Sequence, residues 1–309
     1  MVEKYPKTLL QFEQQFRNEQ VCREYLAQIR WPTGFVCPRC GNLEAWETSR
    51  GLWVCQSCRR HVSLMSGTIF QGSRIPLTMW FRAMWHVTNQ KHGMSALGLQ
   101  RALGLGSYRT AWLMLHKLRQ AMVRPGREPL SGVVEVDETY WGAPERGVLG
   151  RHTEAKAIVV AAVEVSESRL GRIRLRQIPD LSRKTLHGFI GEAIEPDSTI
   201  VTDGWKSYLE LSGYCHDRHN QHGEHATEEP VMPAVHRVIS LLKRWLMGTH
   251  QGAISHRHLD AYLDEFTFRF NRRTSAARGK LFYRLVQHSV LLQPVTYGEL
   301  TEPQHLAGS

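Results

Sequence analysis

Two pairs of cysteines, Cys37-Pro38-Arg39-Cys40 and Cys55-Gln56-Ser57-Cys58, lie within 22 residues and are separated by 14. Two such CxxC knuckles let four thiolates surround one ion tetrahedrally, and soft sulfur donors suit Zn²⁺. Four thiolates close the coordination sphere, so this predicts one structural zinc and not a catalytic one. The competing reading is unconnected buried cysteines or redox thiols. Arg39, Arg50, Arg59, Arg60 and His61 flank the cluster and suit phosphate contact, although zinc ribbons also bind proteins. The second chemical feature is a pair of aspartates. Asp137 ends the strand-like VVEVDETY, and Asp203 ends TIVTDGW. In the first, alternation turns Val134 and Val136 to one face and Val133, Glu135 and Asp137 to the other. Carboxylates at the ends of adjacent strands can share Mg²⁺ or Mn²⁺, hard cations that prefer oxygen. Two such ions clamp the attacking and leaving oxygens of an in-line phosphoryl displacement. Taken singly, a strand-end Asp more often caps a turn.

These residues need elements to position them. Residues 1–30 read as one or two amphipathic helices, broken at Trp31-Pro32-Thr33-Gly34, and 35–65 are short and turn-rich. From 76 to 123 the three-four spacing of apolar residues predicts helices throughout. Gly104 and Gly106 mark a turn, and Ser107 is a helix cap, as in a helix-turn-helix. RPGREPLSG (124–132) is a linker. Strands follow at 133–142, 154–165 and 171–179, then a helix at 182–194 capped by Ser182. A strand running into a helix follows at 198–211, then a loop over 212–233. Helices at 234–248, stopping at Gly248, and 256–273 complete the order. Three strands, a helix, a strand and further helices is the order of a ribonuclease-H-like core.

Composition sets the partners. The 309 residues are 42% hydrophobic and 22% charged, which excludes a disordered or fibrous chain. The net charge is +10, and its distribution is uneven. Residues 1–130 hold 18 Lys/Arg and 7 Asp/Glu, and residues 131–309 hold 21 and 22, giving +11 and −1. Residues 61–130 contain nine basic residues and one acid, Glu128. That surplus predicts nucleic-acid binding, with Arg101, Arg109, Lys117 and Arg119 as the contacts and Tyr108, Arg109 and Trp112 facing a groove. The competing reading is a helical hairpin with a solvated basic face. MVEKYPKTLLQFEQQF lacks the apolar core of a secretory signal, and AIVVAAVEV (157–165) is too short to span a bilayer. A cytoplasmic protein with reduced thiols and no membrane partner is expected.

At this point the chain resembles bacterial insertion-sequence transposases with an N-terminal zinc ribbon and a DDE-type, ribonuclease-H-like catalytic domain. The resemblance runs from about residue 10 to 290. It is carried by FVCPRCG…WVCQSCRRHVSLMSGTIF, VEVDETYWG, VTDGWKSY and LLKRWLMGTHQG…HLDAYLDEFTFRFNRR. It implies that Asp137 and Asp203 are the first two catalytic acids. It places His236 where many members carry the third, Glu. His236 would ligate the second metal, and Lys243 would hold a DNA phosphate. Seven residues, about 700° of helix, put these two on one face, opposite an apolar stripe of Val235, Val238, Ile239, Leu242 and Leu246. The competing readings are a buried histidine and a solvated lysine, with Glu224, Glu228 or Glu229 as the substitute ligand.

The expected fold is therefore multidomain. It comprises N-terminal helices (1–34), a zinc ribbon (35–70), a helical helix-turn-helix-like DNA-binding region with linker (71–130), an α/β ribonuclease-H-like domain with a mixed sheet (131–290) and a tail (291–309). The expected activity is that of a divalent-metal-dependent polynucleotidyl transferase. Such an enzyme binds terminal inverted repeats of double-stranded DNA, cleaves and transfers strands as a homo-oligomer, and uses one Zn²⁺ and two Mg²⁺ or Mn²⁺. Its expected place is the bacterial cytoplasm, associated with the nucleoid. The alternatives are a nuclease or resolvase on the same core, or a zinc-ribbon regulator with a decayed catalytic domain. Cys215, His216, His219, His222 and His225 read as a solvated loop or a second metal site. Trp141 and Trp205 read as base-stacking or core residues. RFNRRTSAARGK (269–280) carries five basic residues, read as tracking DNA, with Asn271 structural.

Overall fold

The computed structural model describes residues 3–124, 126–142, 156–166, 169–219 and 232–301. They form two compact units, Met1–Arg124 with Ser275–Ser309, and Pro125–Thr274.

In the first unit, helices α1 (Leu9–Gln15) and α2 (Glu19–Arg30) start where Thr8 and Asn18 accept the N–H groups of Gln11 and Val21. A meander of β1 (Ala45–Glu47), β2 (Leu52–Cys55) and β3 (His61–Ser63) follows. Both CxxC motifs build the same turn. Gly41 donates to Cys37 O and Cys37 to Asn42 O; Arg59 donates to Cys55 O and Cys55 to Arg60 O. The turn needs a left-handed residue, Gly41 (φ 72°) in the first and Arg59 (φ 57°) in the second. Helix α3 (Leu77–Asn89) begins with two N–H groups that donate to the carboxylate of Glu19, at 2.8 and 3.1 Å. Helices α4 (Ala96–Leu103) and α5 (Tyr108–Gln120) carry serine caps, Ser95 and Ser107, and Gly104 in the left-handed region turns the chain between them. The helix-turn-helix arrangement is thus formed.

The second unit is built on a sheet. β4 (Val133–Trp141), β5 (Ala157–Ser166) and β6 (Arg169–Ile178) form an antiparallel meander. After α6 (Arg183–Ala193), β7 (Thr199–Thr202) lies parallel to β4, and β8 (Cys215–Arg218) lies parallel to β7. The order is β6-β5-β4-β7-β8, the mixed five-stranded sheet expected of a ribonuclease-H-like domain. Helix α6 covers one face, where Val134, Val136, Val160, Ala162 and Ile200 are buried. Helices α7 (Pro233–His250) and α8 (Leu259–Phe270) cover the other, over Val159, Ala161, Val163 and Val201. Side chains at the ends of α8 also close the open edge of β6. Asp260 accepts the N–H of Gln177 at 2.8 Å, and Asn271 both accepts from and donates to the Ile173 backbone, at 2.7 and 3.1 Å.

The chain then returns to the first unit through α9 (Arg278–Ser289) and α10 (Tyr297–Thr301). Phe282 of α9 is fully buried among the rings of Phe12, Phe16, Tyr25, Phe81 and Trp85. This corrects the expected boundary, because the sheet unit ends at Thr274 and not at residue 290. Three local expectations also change. The segment after β7 is a single 3₁₀ turn, Lys206–Tyr208, and not a helix. The expected loop contains β8, a strand without apolar alternation that backbone pairing to β7 defines. Helix α7 continues through Gly248 and ends at left-handed Gln251.

Candidate active site

The four cysteine sulfurs lie within 4.8 Å of one another, with Cys37–Cys58 at 3.6 Å and Cys40–Cys55 at 3.5 Å. Among the described residues this is the one group of three or more potential ligands gathered so closely. Backbone N–H groups of Cys58 and Ser57 and the neighbouring thiols pull the Cys55 thiol down to about 6, favouring the thiolate that binds zinc. The donor set, its spacing and its geometry fit a structural Zn²⁺.

The aspartates are set by strand register. Parallel pairing matches Val133, Val134 and Glu135 with Thr199, Ile200 and Val201. Asp137 and Asp203 each stand two residues beyond the last pair of that register. β7 leaves the sheet after Thr202, while β4 runs on to Trp141 beside β5. Asp137 therefore lies within a strand, where its neighbour on one side ends, and not at the strand's own end as the sequence suggests. Gly204 (φ 80°) turns the chain directly after Asp203, and the Trp205 N–H donates to Asp203 Oδ1 at 3.0 Å. Burial most strongly opposes ionisation of the Tyr208 hydroxyl, Glu138 comes next, and the carboxylates of Asp137 and Asp203 add to it.

Helix α7 brings a histidine to Asp137. His236 Nε2 stands 3.2 Å from Asp137 Oδ2, with the His236 side chain 45% exposed and the Asp137 side chain 16%. Val235, Val238, Ile239, Leu242 and Leu246 are buried on the opposite side of the helix, so packing of the apolar stripe is what aims His236 at the strand. Lys243 is exposed. The ligand atoms of Asp137, Asp203 and His236 are not gathered within 4.8 Å as the cysteines are, so this site is the wider one. Its chemistry still fits a hard or borderline cation. It offers two carboxylates and an imidazole, and the 3.2 Å edge is close to the roughly 3 Å between neighbouring ligands of an octahedral ion bound at 2.0–2.1 Å.

Two family models match this chain. Residues 17–61 match a transposase zinc-ribbon domain, and residues 129–271 match an ISXO2-like transposase domain. The two matches together take in more than half of the chain and contain the four clustered cysteines, Asp137 and Asp203. The chain belongs to the IS1595 family of ISXO2-like transposases. A similar relative is an uncharacterized protein in transposable element ISH50 of Halobacterium salinarum, 24% identical over 82% of this chain and 91% of that protein. An uncharacterized transposase-like protein of Haemophilus influenzae is 28% identical over 37% of this chain and 93% of its own length. One relative is archaeal, so family membership does not imply a bacterial source.

In this transposase the basic residues of the helical region divide. Arg101 is exposed on α4, and Arg109 is exposed on α5 with its guanidinium 3.7 Å from the centre of the Tyr297 ring. Lys117 and Arg119 are 6% and 1% exposed, which corrects their assignment as DNA contacts. The Lys117 ammonium donates to Ile69 O at 2.9 Å, and burial lowers its pKa. Only the first turn of α5 emerges; from Ala111 on it runs through the interior of the unit.

The remaining polar features are mostly structural. His216 Nε2 lies 2.9 Å from Thr202 Oγ1, and His219 Nε2 3.1 Å from Asp217 Oδ2. His222, His225, Glu224, Glu228 and Glu229 fall outside the described residues. Trp141 and Trp205 pack against the cores on opposite faces of the sheet. Arg273 donates to backbone carbonyls of Leu170 and Gly171, so it ties the start of β6 rather than presenting a free cation. Two residues with a role at this site are not singled out by the sequence. Glu135 is 6% exposed and accepts the Val235 N–H at 2.8 Å. Glu138 accepts the hydroxyl of Tyr208. Their one signal is their place in VEVDETY, on either side of Asp137. Among the described residues no helix is long and apolar enough to cross a membrane.

Proposed function

We propose that this transposase binds the terminal inverted repeats of its element and cleaves and joins DNA at Asp137, Asp203 and His236. The observation that carries the reading is the convergence of three chain segments. Asp137 and Asp203 each stand two residues beyond the last pair of the strand register, and α7 brings His236 within 3.2 Å of Asp137. Mg²⁺ or Mn²⁺ bound there would neutralise charge on the transferring phosphoryl group and lower the pKa of a bound water. Asp137 and Asp203 would hold the cations through carboxylate oxygens, and His236 would add a nitrogen donor. Lys243, seven residues along the same helix and about 10 Å further on, meets a DNA phosphate. The reaction is hydrolysis at the element end, releasing a 3′-hydroxyl, which then attacks a target phosphodiester in line; the new P–O bond forms as the bond to the target strand's 3′-oxygen breaks, and that oxygen leaves as a 3′-hydroxyl. Arg101 and Arg109 contact the repeat. Two ends must be joined together, so the working form is a homo-oligomer acting inside the cell.

The test is strand transfer on end-containing oligonucleotides with Mg²⁺ or Mn²⁺. Asp137→Asn and Asp203→Asn should each slow the reaction by about two to three orders of magnitude, the rate equivalent of several kcal/mol of charge stabilisation. His236→Ala should slow it less, because it leaves both carboxylates in place. Unchanged activity in Asp137→Asn would sink the reading.

A further inference from the structure

Asp137 has an acid on either side of it in β4, and alternation sends these two to opposite faces of the sheet. Glu135 points to the α7 face. Its Oε2 accepts the N–H of Val235 at 2.8 Å, and the N–H of Ala234 is a second donor. These are first-turn amides of α7, and the residue before the helix, Met232, gives no side-chain cap. Glu135 therefore caps α7 from the neighbouring strand, satisfying amides that helix geometry leaves open. The next residue of that turn is His236. Glu138 points to the α6 face and accepts the hydroxyl of Tyr208, which is fully buried. Tyr208 ends the 3₁₀ turn that follows Asp203. Each flanking acid thus ties to β4 the segment that carries another member of the site.

We propose that Glu135 and Glu138 are positioning residues for the metal site: Glu135 fixes His236 against Asp137 through the first turn of α7, and Glu138 fixes Asp203 through Tyr208. Neither is a ligand. Glu135 is buried with its carboxylate against backbone amides, and Glu138 lies on the face of the sheet opposite to Asp137. Length and hydrogen-bond acceptance are what these positions require. Outer partners of this kind are worth about 10–100-fold in metal affinity. The proposal rests on the reading of Asp137, Asp203 and His236 as a metal site, and its test separates the two.

The probe is Mn²⁺ added to the zinc-loaded full-length protein, with free Mn²⁺ read by electron paramagnetic resonance and thermal unfolding followed without Mn²⁺. Glu135→Asp and Glu138→Asp keep the charge but withdraw the acceptor by one methylene. Each should weaken Mn²⁺ binding by about 10–100-fold. Glu135→Gln and Glu138→Gln keep length and an acceptor oxygen, and should bind close to wild type. Tyr208→Phe should reproduce the loss in Glu138→Asp, and the double variant should be no worse than either single one. Amide exchange at Ala234 and Val235 should be slow in wild type and Glu135→Gln and fast in Glu135→Asp, which decides the Glu135 half even where melting shifts. Loss in the Gln variants with retention in the Asp variants would make these acids ligands and overturn the proposal. So would wild-type binding in all four variants when Asp137→Asn has lost it. Wild-type binding in Asp137→Asn itself removes the metal-site reading, and the proposal falls with it.

Discussion

His236 shows how far one side chain depends on its neighbours. The packing of α7 by its buried apolar stripe brings the imidazole nitrogen to Asp137. Elsewhere in the same unit a single carboxyl is held against its preference. Burial pushes Asp264 up to about 6 from 3.8; Asp260 adds to the rise, while Arg127 and Arg176 oppose it. Well below pH 3.8 the group is neutral folded and unfolded, and it costs nothing. As pH rises to about 6 the unfolded carboxyl ionises first, so stability falls across that window and stays lower above it. A rise of that size corresponds to about 2–3 kcal/mol. Asp264→Asn should raise the unfolding free energy by about that much at pH 7–8 and converge with wild type below about pH 4, in denaturant titrations across pH. A difference constant with pH would show that burial of the charge is not the cause.

At the scale of elements, α8 both roofs the sheet and finishes its edge. Asn271 makes two hydrogen bonds to the backbone of Ile173, a fully buried residue of β6. Asn271→Ala leaves a donor and an acceptor unmet, so about 2–3 kcal/mol of stability should be lost. Urea unfolding measures it, and a loss under about 0.5 kcal/mol, the size of an ordinary surface change, would mean that water replaces the side chain. Helix α9 has a comparable point of contact in the other unit. A Cβ on Gly279 would meet the carbonyl oxygen of Pro6 at 1.6 Å, so the close approach of the N-terminal segment to α9 requires glycine there.

For the whole molecule, charge is divided unevenly: +11 over residues 1–130 and −1 over 131–309. Not every cation serves recognition. Arg101 is exposed, whereas Lys117 is buried and hydrogen-bonded to Ile69. Arg101→Ala should lower the slope of log affinity against log salt by about 0.9, the loss of one phosphate contact. Lys117→Ala should leave that slope alone and lower the melting point of the first unit instead. Binding to end-containing duplexes across salt concentrations, with calorimetry, checks both; a reduced salt slope in Lys117→Ala would return that residue to the interface.

The amino-acid sequence by itself determined the features that local chemistry controls. Four thiols in two knuckles specify their cluster, serine caps and Gly104 specify the helix-turn-helix, and alternation in VVEVDETY specifies which side chains share a face with Asp137. What a residue meets across the fold was decided only in three dimensions. Periodicity describes one element's own faces, but whether a second face is covered depends on chain far away in sequence. That is why Lys117 and Arg119 read as surface cations and are interior ones, and why α9 reads as part of the sheet unit and packs with α1, α2 and α3. β8 exists through pairing to β7 and has no apolar pattern of its own. The placing of Asp137 and Asp203 two residues beyond the paired register and the two ties from Glu135 and Glu138 arise from register and from hydrogen bonds that span 66 to 100 residues of chain. No single segment contains that information.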